Sequence, residues 1–166
     1  MFPLFVDLTG RRVVVIGQGP VADAKQRQFR DAGADVQLVN PDAFQPSDLD
    51  GAWLVVASGT PQVNGRVAAA AAERRLFLNA VDDPPNATAF LGGVVRRAGV
   101  TIAISTDGAA PALTALLREA VEAVLPADLD GWMATAREAR VGWKRDAVPV
   151  AARKPLLLDA LNRRYQ

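Results

Sequence analysis

Two residue types are missing from this sequence altogether, cysteine and histidine. Without cysteine there is no disulfide, no thiolate nucleophile and no zinc–thiolate site. Without histidine the commonest general base and the commonest metal ligand are gone. Acid–base or metal chemistry is left to carboxylates, Lys, Tyr, Ser and Thr, or to a bound cofactor. Long apolar runs are lacking too: no stretch reaches the roughly 18 residues that a membrane span needs. The opening Met1-Phe2-Pro3-Leu4-Phe5-Val6-Asp7 has neither the basic region nor the long apolar core of a signal peptide. A cytoplasmic protein with no membrane partner is expected. An excess of charge is also absent. The net charge is +1, which argues against a nucleic-acid partner, although basic residues thicken toward the C-terminus. What is present is 166 residues, half of them apolar, enough for one domain with a real core plus a small appendage.

The chain is organised around residues 12–22, RVVVIGQGPVA. Val13, Val14, Val15 and Ile16 read as a short buried strand, followed at once by Gly17, Gly19, Pro20 and a helical run. This is the G-x-G-x-x-A form of the dinucleotide fingerprint, with Ala22 in the third slot. Gly17 permits the tight turn, Gly19 lets the backbone approach a pyrophosphate, and Ala22 allows close helix–strand packing. The helix start at Pro20 and Val21 then presents free N–H groups to phosphate. The plain alternative is an ordinary tight βα turn.

The segment 2–8 is apolar and is expected to lie on the sheet. The helix from Pro20 should run to about residue 32 and stop at Gly33. Residues 35–39 make a second strand and complete a βαβ unit. Its end carries Asn40, Pro41 and Asp42 where an acid for the ribose hydroxyl usually stands, with no Arg nearby for a 2′-phosphate, so NAD is favoured over NADP. Residues 53–57 (WLVVA) form a third parallel strand. Ser58, Gly59 and Thr60 open the next helix, with Thr60 as N-cap before Pro61. Residues 76–79 (LFLN) form a further strand that delivers Asp82, Asp83, Pro84 and Pro85. Ligands of open α/β sheets sit beyond the strand C-termini, so Gly17–Gly19, Ser58–Thr60 and Asp82–Asp83 should line one crevice. After Pro85 the βαβ pattern stops. Residues 88–97 and 101–105 read as antiparallel strands joined at Ala98-Gly99, and Pro111 starts a helix to about residue 125. Residues 128–145 and 151–165 read as two more helices, with Trp132 and Trp143 packing there. The fold class expected is α/β: a shortened Rossmann-like parallel sheet over 1–87, a small α+β region over 88–125 and a helical domain over 126–166.

The stretches PLFVDLTGRRVVVIGQGPVADAK, PSDLDGAWLVVAS, RRLFLNAVDDP and VVRRAGVTIAISTDGAAPALTALLREAVEAVLP run in order from about residue 3 to residue 126. In these the chain resembles the precorrin-2 dehydrogenases and sirohydrochlorin ferrochelatases, the dehydrogenase–chelatase part of siroheme synthase. The most specific are NAVDDP and TIAISTDG with APAL and LLRE. The resemblance implies a homodimer whose 88–125 region exchanges strands, NAD as cofactor, and oxidation of precorrin-2 to sirohydrochlorin. In many relatives it also implies insertion of Fe2+ as a substrate metal to give sirohaem. The family's key aspartate falls on Asp82, and its Ser-rich loop on Ser105 and Thr106.

The residues agree with that chemistry. In a chain without histidine, a carboxylate at a strand end beside the nicotinamide is the available base. Asp82 suits proton removal in both steps and a transient hold on iron; no firm metal site is assigned. Asp83 either tunes it or caps the Pro84-Pro85 turn, and a turn role before proline is the plain alternative for Asp82 itself. The eight carboxylates of the substrate call for cations such as Arg97 and Arg118, with Arg96, Lys144, Arg145, Arg153 and Lys154 as further choices. Any one of these is as well read as a solvated charge.

Four departures from the family pattern stand out. Gln18 replaces a glycine, at a position expected to point away from the pyrophosphate. Gly92-Gly93 stands where relatives carry Pro-Ser or Pro-Ala. Asp107 replaces a common glycine and adds a negative charge near an anionic substrate. A helix and strand usual between Asn40 and Pro46 are nearly absent, so the sheet should lack its edge strand. Three functions stay open: a bifunctional dehydrogenase and ferrochelatase, a dehydrogenase alone, or a tetrapyrrole- or nucleotide-binding module without turnover.

Overall fold

The computed structural model describes residues 1–165 and forms two compact units, one over Met1–Leu91 and one from Gly92 onward.

The first unit is built on the valine run. Strand β1 (Arg12–Gly17) is central in a four-stranded parallel sheet of order β2-β1-β3-β4, with β2 at Asp35–Val39, β3 at Leu54–Ser58 and β4 at Phe77–Ala80. A parallel sheet covered on both faces explains why these strands read as continuous apolar runs. Their side chains still alternate. Val13 and Val15, with Leu54 and Val56, meet Ala22 and Phe29 of helix α1 (Gly19–Asp31). Val14 and Ile16, with Val55 and Ala57, meet Val67, Ala70 and Ala71 of helix α2 (Pro61–Glu73). β1 pairs with β2 on one side and β3 on the other, both parallel. The order reverses there, and the crevice beyond the carboxyl ends of β1 and β3 is the topological switch point of such sheets.

Between β2 and β3 the chain makes only two short 3-10 turns, Pro41–Ala43 and Pro46–Leu49, which plug Phe44 and Leu49 into the core. The outer edge of β4 is met by the following segment. Thr88 and Ala89 donate their N–H groups to the Leu78 carbonyl, and the Thr88 hydroxyl accepts from the Leu78 N–H.

Three local expectations are corrected. In the leading segment only Leu8 is buried, while Phe2, Leu4, Phe5 and Val6 face solvent. The third and fourth strands each begin one residue later than expected, because Trp53 and Leu76 precede the first paired positions. The last helix is α5 (Val150–Asn162) with Pro155 inside it, followed by a 3-10 turn at Arg163–Tyr165 rather than one continuous helix.

The second unit starts with an antiparallel hairpin, β5 (Gly93–Arg97) and β6 (Val100–Ile104). Its two-residue turn, Ala98-Gly99, has φ of +52° and +79°, the left-handed pair that suits hairpin twist. Helices α3 (Pro111–Val124), α4 (Leu129–Arg145) and α5 follow. The Trp132 indole N–H donates to the Tyr165 hydroxyl. The glycine pair has a steric reason here. A Cβ on Gly92 would sit 2.1 Å from the Ile104 carbonyl oxygen, and one on Gly93 would sit 2.9 Å from Thr114 Cγ2. Asp107 adopts φ +57°, a left-handed conformation that glycine takes without steric cost. The expected α/β class is borne out. Among the described residues no helix is long and apolar enough to cross a membrane.

Candidate functional site

A cleft of about 400 Å³ opens at the switch point of the first unit. Gln18 and Val21 border it from the start of α1, Ser58, Gly59, Pro61 and Asn64 from the β3–α2 turn, and Val81, Asp82 and Asp83 from the loop after β4. Three separate turns therefore converge, as expected from strand order. Gln18, expected to point away from the pyrophosphate, is among the bordering residues.

The glycines act as their positions require. Gly19 has φ +76°, and beyond its chain neighbours and its own helix backbone no described atom lies within 4 Å of the place its Cβ would take. Backbone with open space beside it, at the start of a long helix that lacks a side-chain cap, is what a pyrophosphate needs. Gly17 is packed instead: a Cβ there would lie 2.1 Å from Ser58 Oγ and 2.9 Å from Ala22 Cβ. That close approach is why Ala22 must be small. Ser58 Oγ is buried with no hydrogen-bond partner. A polar atom left unpaired beside an open nucleotide-type turn fits a site completed by a ligand. The Thr60 hydroxyl is committed to its own helix, accepting from the Val63 N–H at 3.4 Å as N-cap. At the end of β2, Asn40 Oδ1 accepts from the Asp42 N–H at 2.9 Å and Pro41 is buried. These three residues are not among those bordering the cleft.

Asp82 stands in the left-handed region at φ +53°, a conformation that costs a non-glycine residue about 1 kcal/mol or more. Val81 is tied beneath it, its N–H donating to the Ala57 carbonyl at 2.8 Å. Asp83 is tied to neighbouring amides through one oxygen. Its Oδ2 accepts from Asn64 Nδ2 at 3.2 Å and from Asn86 Nδ2 at 2.9 Å. Lys25 of α1 lies within electrostatic reach of Asp82. Burial pushes the Lys25 ammonium below its ordinary pKa, and the Asp82 carboxylate pulls it partly back. Asn79 is buried and donates to the Ala89 carbonyl at 3.0 Å. Sequence reasoning overlooked Asn64. The available signal was an asparagine at the fourth position of a helix rich in alanine.

The remaining expected residues lie in the second unit. Ser105 Oγ accepts from the Asp107 N–H at 3.2 Å. Thr106 Oγ1 is 2.8 Å from Thr114 Oγ1 and accepts from the Ala110 N–H. Both hydroxyls thus shape the loop before α3. Arg97 donates to the Pro126 carbonyl at 2.6 Å, while its Nε is buried without a partner. Arg118 pairs with Glu122 at 3.0 Å, one helical turn on. Arg145 pairs with Asp146, and Arg153 donates to the Val148 carbonyl. Among the described residues no group of three or more acidic side chains is arranged to hold a metal ion.

Residues 4–93 match a family model described as putative NAD(P)-binding, and residues 97–123 match one described as sirohaem biosynthesis protein central. Siroheme synthase 2 of Pectobacterium atrosepticum is 34% identical over 92% of this chain, and siroheme synthase of Photorhabdus laumondii is 32% identical over 98%. The chain spans 38% and 39% of those two proteins. Among solved structures, SirC, a precorrin-2 dehydrogenase, superposes with a TM-score of 0.71 at 23% identity, covering 96% of this chain and 88% of that one. That likeness is one of fold.

Proposed function

The chain belongs to the precorrin-2 dehydrogenase and sirohydrochlorin ferrochelatase family, and we propose that it oxidises precorrin-2 to sirohydrochlorin with NAD and then promotes ferrous iron insertion. The observation that carries this reading is Asp82, held left-handed at the edge of a cleft whose other walls are a helix start and the β3–α2 turn. The cleft residues fit a dinucleotide. The open backbone at Gly19, the uncapped start of α1 and the unpaired Ser58 hydroxyl would hold its pyrophosphate end. NAD, when bound, supplies the hydride acceptor. Asp82 takes the proton that leaves the tetrapyrrole as the hydride departs, so two hydrogens are lost as one proton and one hydride. With no histidine in the chain, a carboxylate is the base that this site offers. Iron insertion releases two pyrrole protons, and Asp82 is again the group to receive them, one at a time with each passed on to solvent, while iron, as substrate, passes to the macrocycle.

In the second unit Arg97 and Arg118 are cations suited to the carboxylates of such a substrate, and Ser105 and Thr106 lie in the loop before α3. That helix buries none of its residues and exposes Leu113, Leu116 and Leu117. An amphipathic helix left open in this way supports a homodimer, with 88–125 as the dimerisation region and 126–166 as a helical domain.

The test is anaerobic. Purified protein is mixed with enzymatically generated precorrin-2 and NAD+, and NADH and the sirohydrochlorin spectrum are followed. Fe2+ is then added to preformed sirohydrochlorin against an enzyme-free blank. NADH formation followed by insertion faster than the blank is the expected result, with both lost in Asp82→Ala. NADH with insertion at the blank rate restricts the reading to a dehydrogenase. No NADH, with tetrapyrrole still bound, overturns it in favour of a binding module.

A further inference from the structure

Asn64 is buried to 1% exposure in the first turn of α2, yet it is the only side chain that joins two of the three turns around the cleft among the described hydrogen bonds. Its Oδ1 accepts from the Gly59 N–H at 3.1 Å, fixing the β3–α2 turn. Its Nδ2 donates to Asp83 Oδ2 at 3.2 Å, fixing the loop after β4. Asn86 donates to the same oxygen from the far side. Asp82 is thus held between two anchors, the Val81 N–H bonded to the end of β3 and the Asp83 carboxylate bonded to α2. A left-handed aspartate persists only where neighbours over-determine it.

We propose that Asn64 is a positioning residue, acting through Asp83, that sets the direction of the Asp82 carboxylate and locks it to the β3–α2 turn. The inference rests on Asp82 being the base of the reaction above. The chemistry demands an amide. The Gly59 N–H requires an acceptor, Asp83 Oδ2 requires a donor, and only an uncharged group with both satisfies the two in a buried site. An aspartate at 64 would keep the Gly59 bond and set two carboxylates against each other. Alanine would leave the Gly59 N–H and the Asp83 oxygen with one partner fewer.

The test uses the full chain. In Asn64→Asp, the Gly59 amide should stay protected from hydrogen exchange while the amides of residues 81–86 lose protection. NAD+ affinity should change less than threefold. The kcat should fall by about 10- to 100-fold, the order of loss expected from misdirecting a catalytic group by roughly 1 Å. The double variant Asn64→Asp/Asp83→Asn restores a donor–acceptor pair with its direction reversed and should recover at least tenfold of the lost kcat together with protection at 81–86. A residue with only a structural role would lower kcat and NAD+ affinity in step with thermal stability and would not be rescued by the swap. Unchanged kcat in Asn64→Asp, or no recovery in the double variant, overturns the inference. An inactive wild-type protein overturns the functional reading instead, and the exchange pattern still tests the coupling of the two turns.

Discussion

In the first unit, four strands are covered on both faces, and Val13 to Ile16, Val55 to Ala57 and Leu78 are shut away from water almost completely. In the second, a two-stranded hairpin and three helices bury only Val95, Leu129 and Leu161 among their apolar residues. The contrast separates two ways of holding a structure together. Apolar burial, worth about 25 cal/mol per Å², stabilises the first unit from within. The second keeps apolar area on its surface, and much of its order comes from turn geometry, helix pairs and a few polar ties. The same contrast places the chemistry. The sheet ends hold the cleft, while the helices of the second unit keep apolar side chains on their surface.

The largest expected effect follows from that difference in burial. Leu78→Ala removes a side chain 1% exposed, and Leu158→Ala removes one 57% exposed on α5. The first should cost about 2–5 kcal/mol and the second less than about 0.5 kcal/mol in urea unfolding. Equal losses at both sites would break the comparison.

Glycine contacts sharpen it. In the first unit the obstacle to Gly17→Ala is mainly the Ser58 hydroxyl, a side chain. In the second unit the obstacle to Gly92→Ala is the Ile104 carbonyl, backbone of the paired strand. Each substitution should cost about 1–3 kcal/mol by overpacking. Adding Ser58→Ala should recover part of the loss at Gly17, leaving the contact with Ala22. No neighbouring side-chain truncation should rescue Gly92→Ala. Thermal unfolding of the single and double variants checks both statements, and a Gly17→Ala protein as stable as wild type would refute the close packing of β1 on β3.

The same two regions differ in how far they were legible in the sequence. The run VVVIGQG announced its strand, its turn and its helix because burial on both faces, positive φ and helix initiation each leave a residue-type signature. The hairpin turn at Ala98-Gly99 and the stop at Gly33 were readable for the same reason. What escaped was decided by distant partners. Nothing local distinguishes Leu8, which is buried, from Phe5, which is not. Asn64 is one amide in a helix until β4 brings Asp83 beside it. Asp82 reads as a turn residue before proline, and its left-handed backbone becomes evident only with Val81 and Asp83 anchored on either side. The helix read over 151–165 does continue through Pro155, but nothing local marked its end at Asn162, where a 3-10 turn takes over.

The smallest expected effects are electrostatic, and they have opposite signs in the two units. Lys25 of α1 is half-buried, and desolvation sets its pKa below the unfolded value, with Asp82 opposing. A depressed lysine binds its proton less well in the folded chain. Its penalty is therefore full at neutral pH and vanishes as pH rises through the folded pKa to the unfolded value of about 10.4. Lys25→Met should raise the melting temperature at pH 7, by an amount that shrinks as pH approaches 10. Asp128 in the second unit is an exposed partner of Arg164 at 2.8 Å. The Arg164 side chain, with the Gly131 N–H among further contributors, holds its carboxyl below the ordinary range. That contribution is present above an unfolded pKa of about 3.9 and is lost as pH falls through the folded one. Asp128→Asn keeps the shape of the side chain and removes its charge. It should lower the melting temperature slightly at pH 7, within the small range of exposed ion pairs, and match wild type near pH 2. The two difference curves should run in opposite senses, one a gain that fades toward alkali and the other a loss that fades toward acid. Curves of the same sign would mean that Lys25 is held by its attraction to Asp82 rather than penalised by burial.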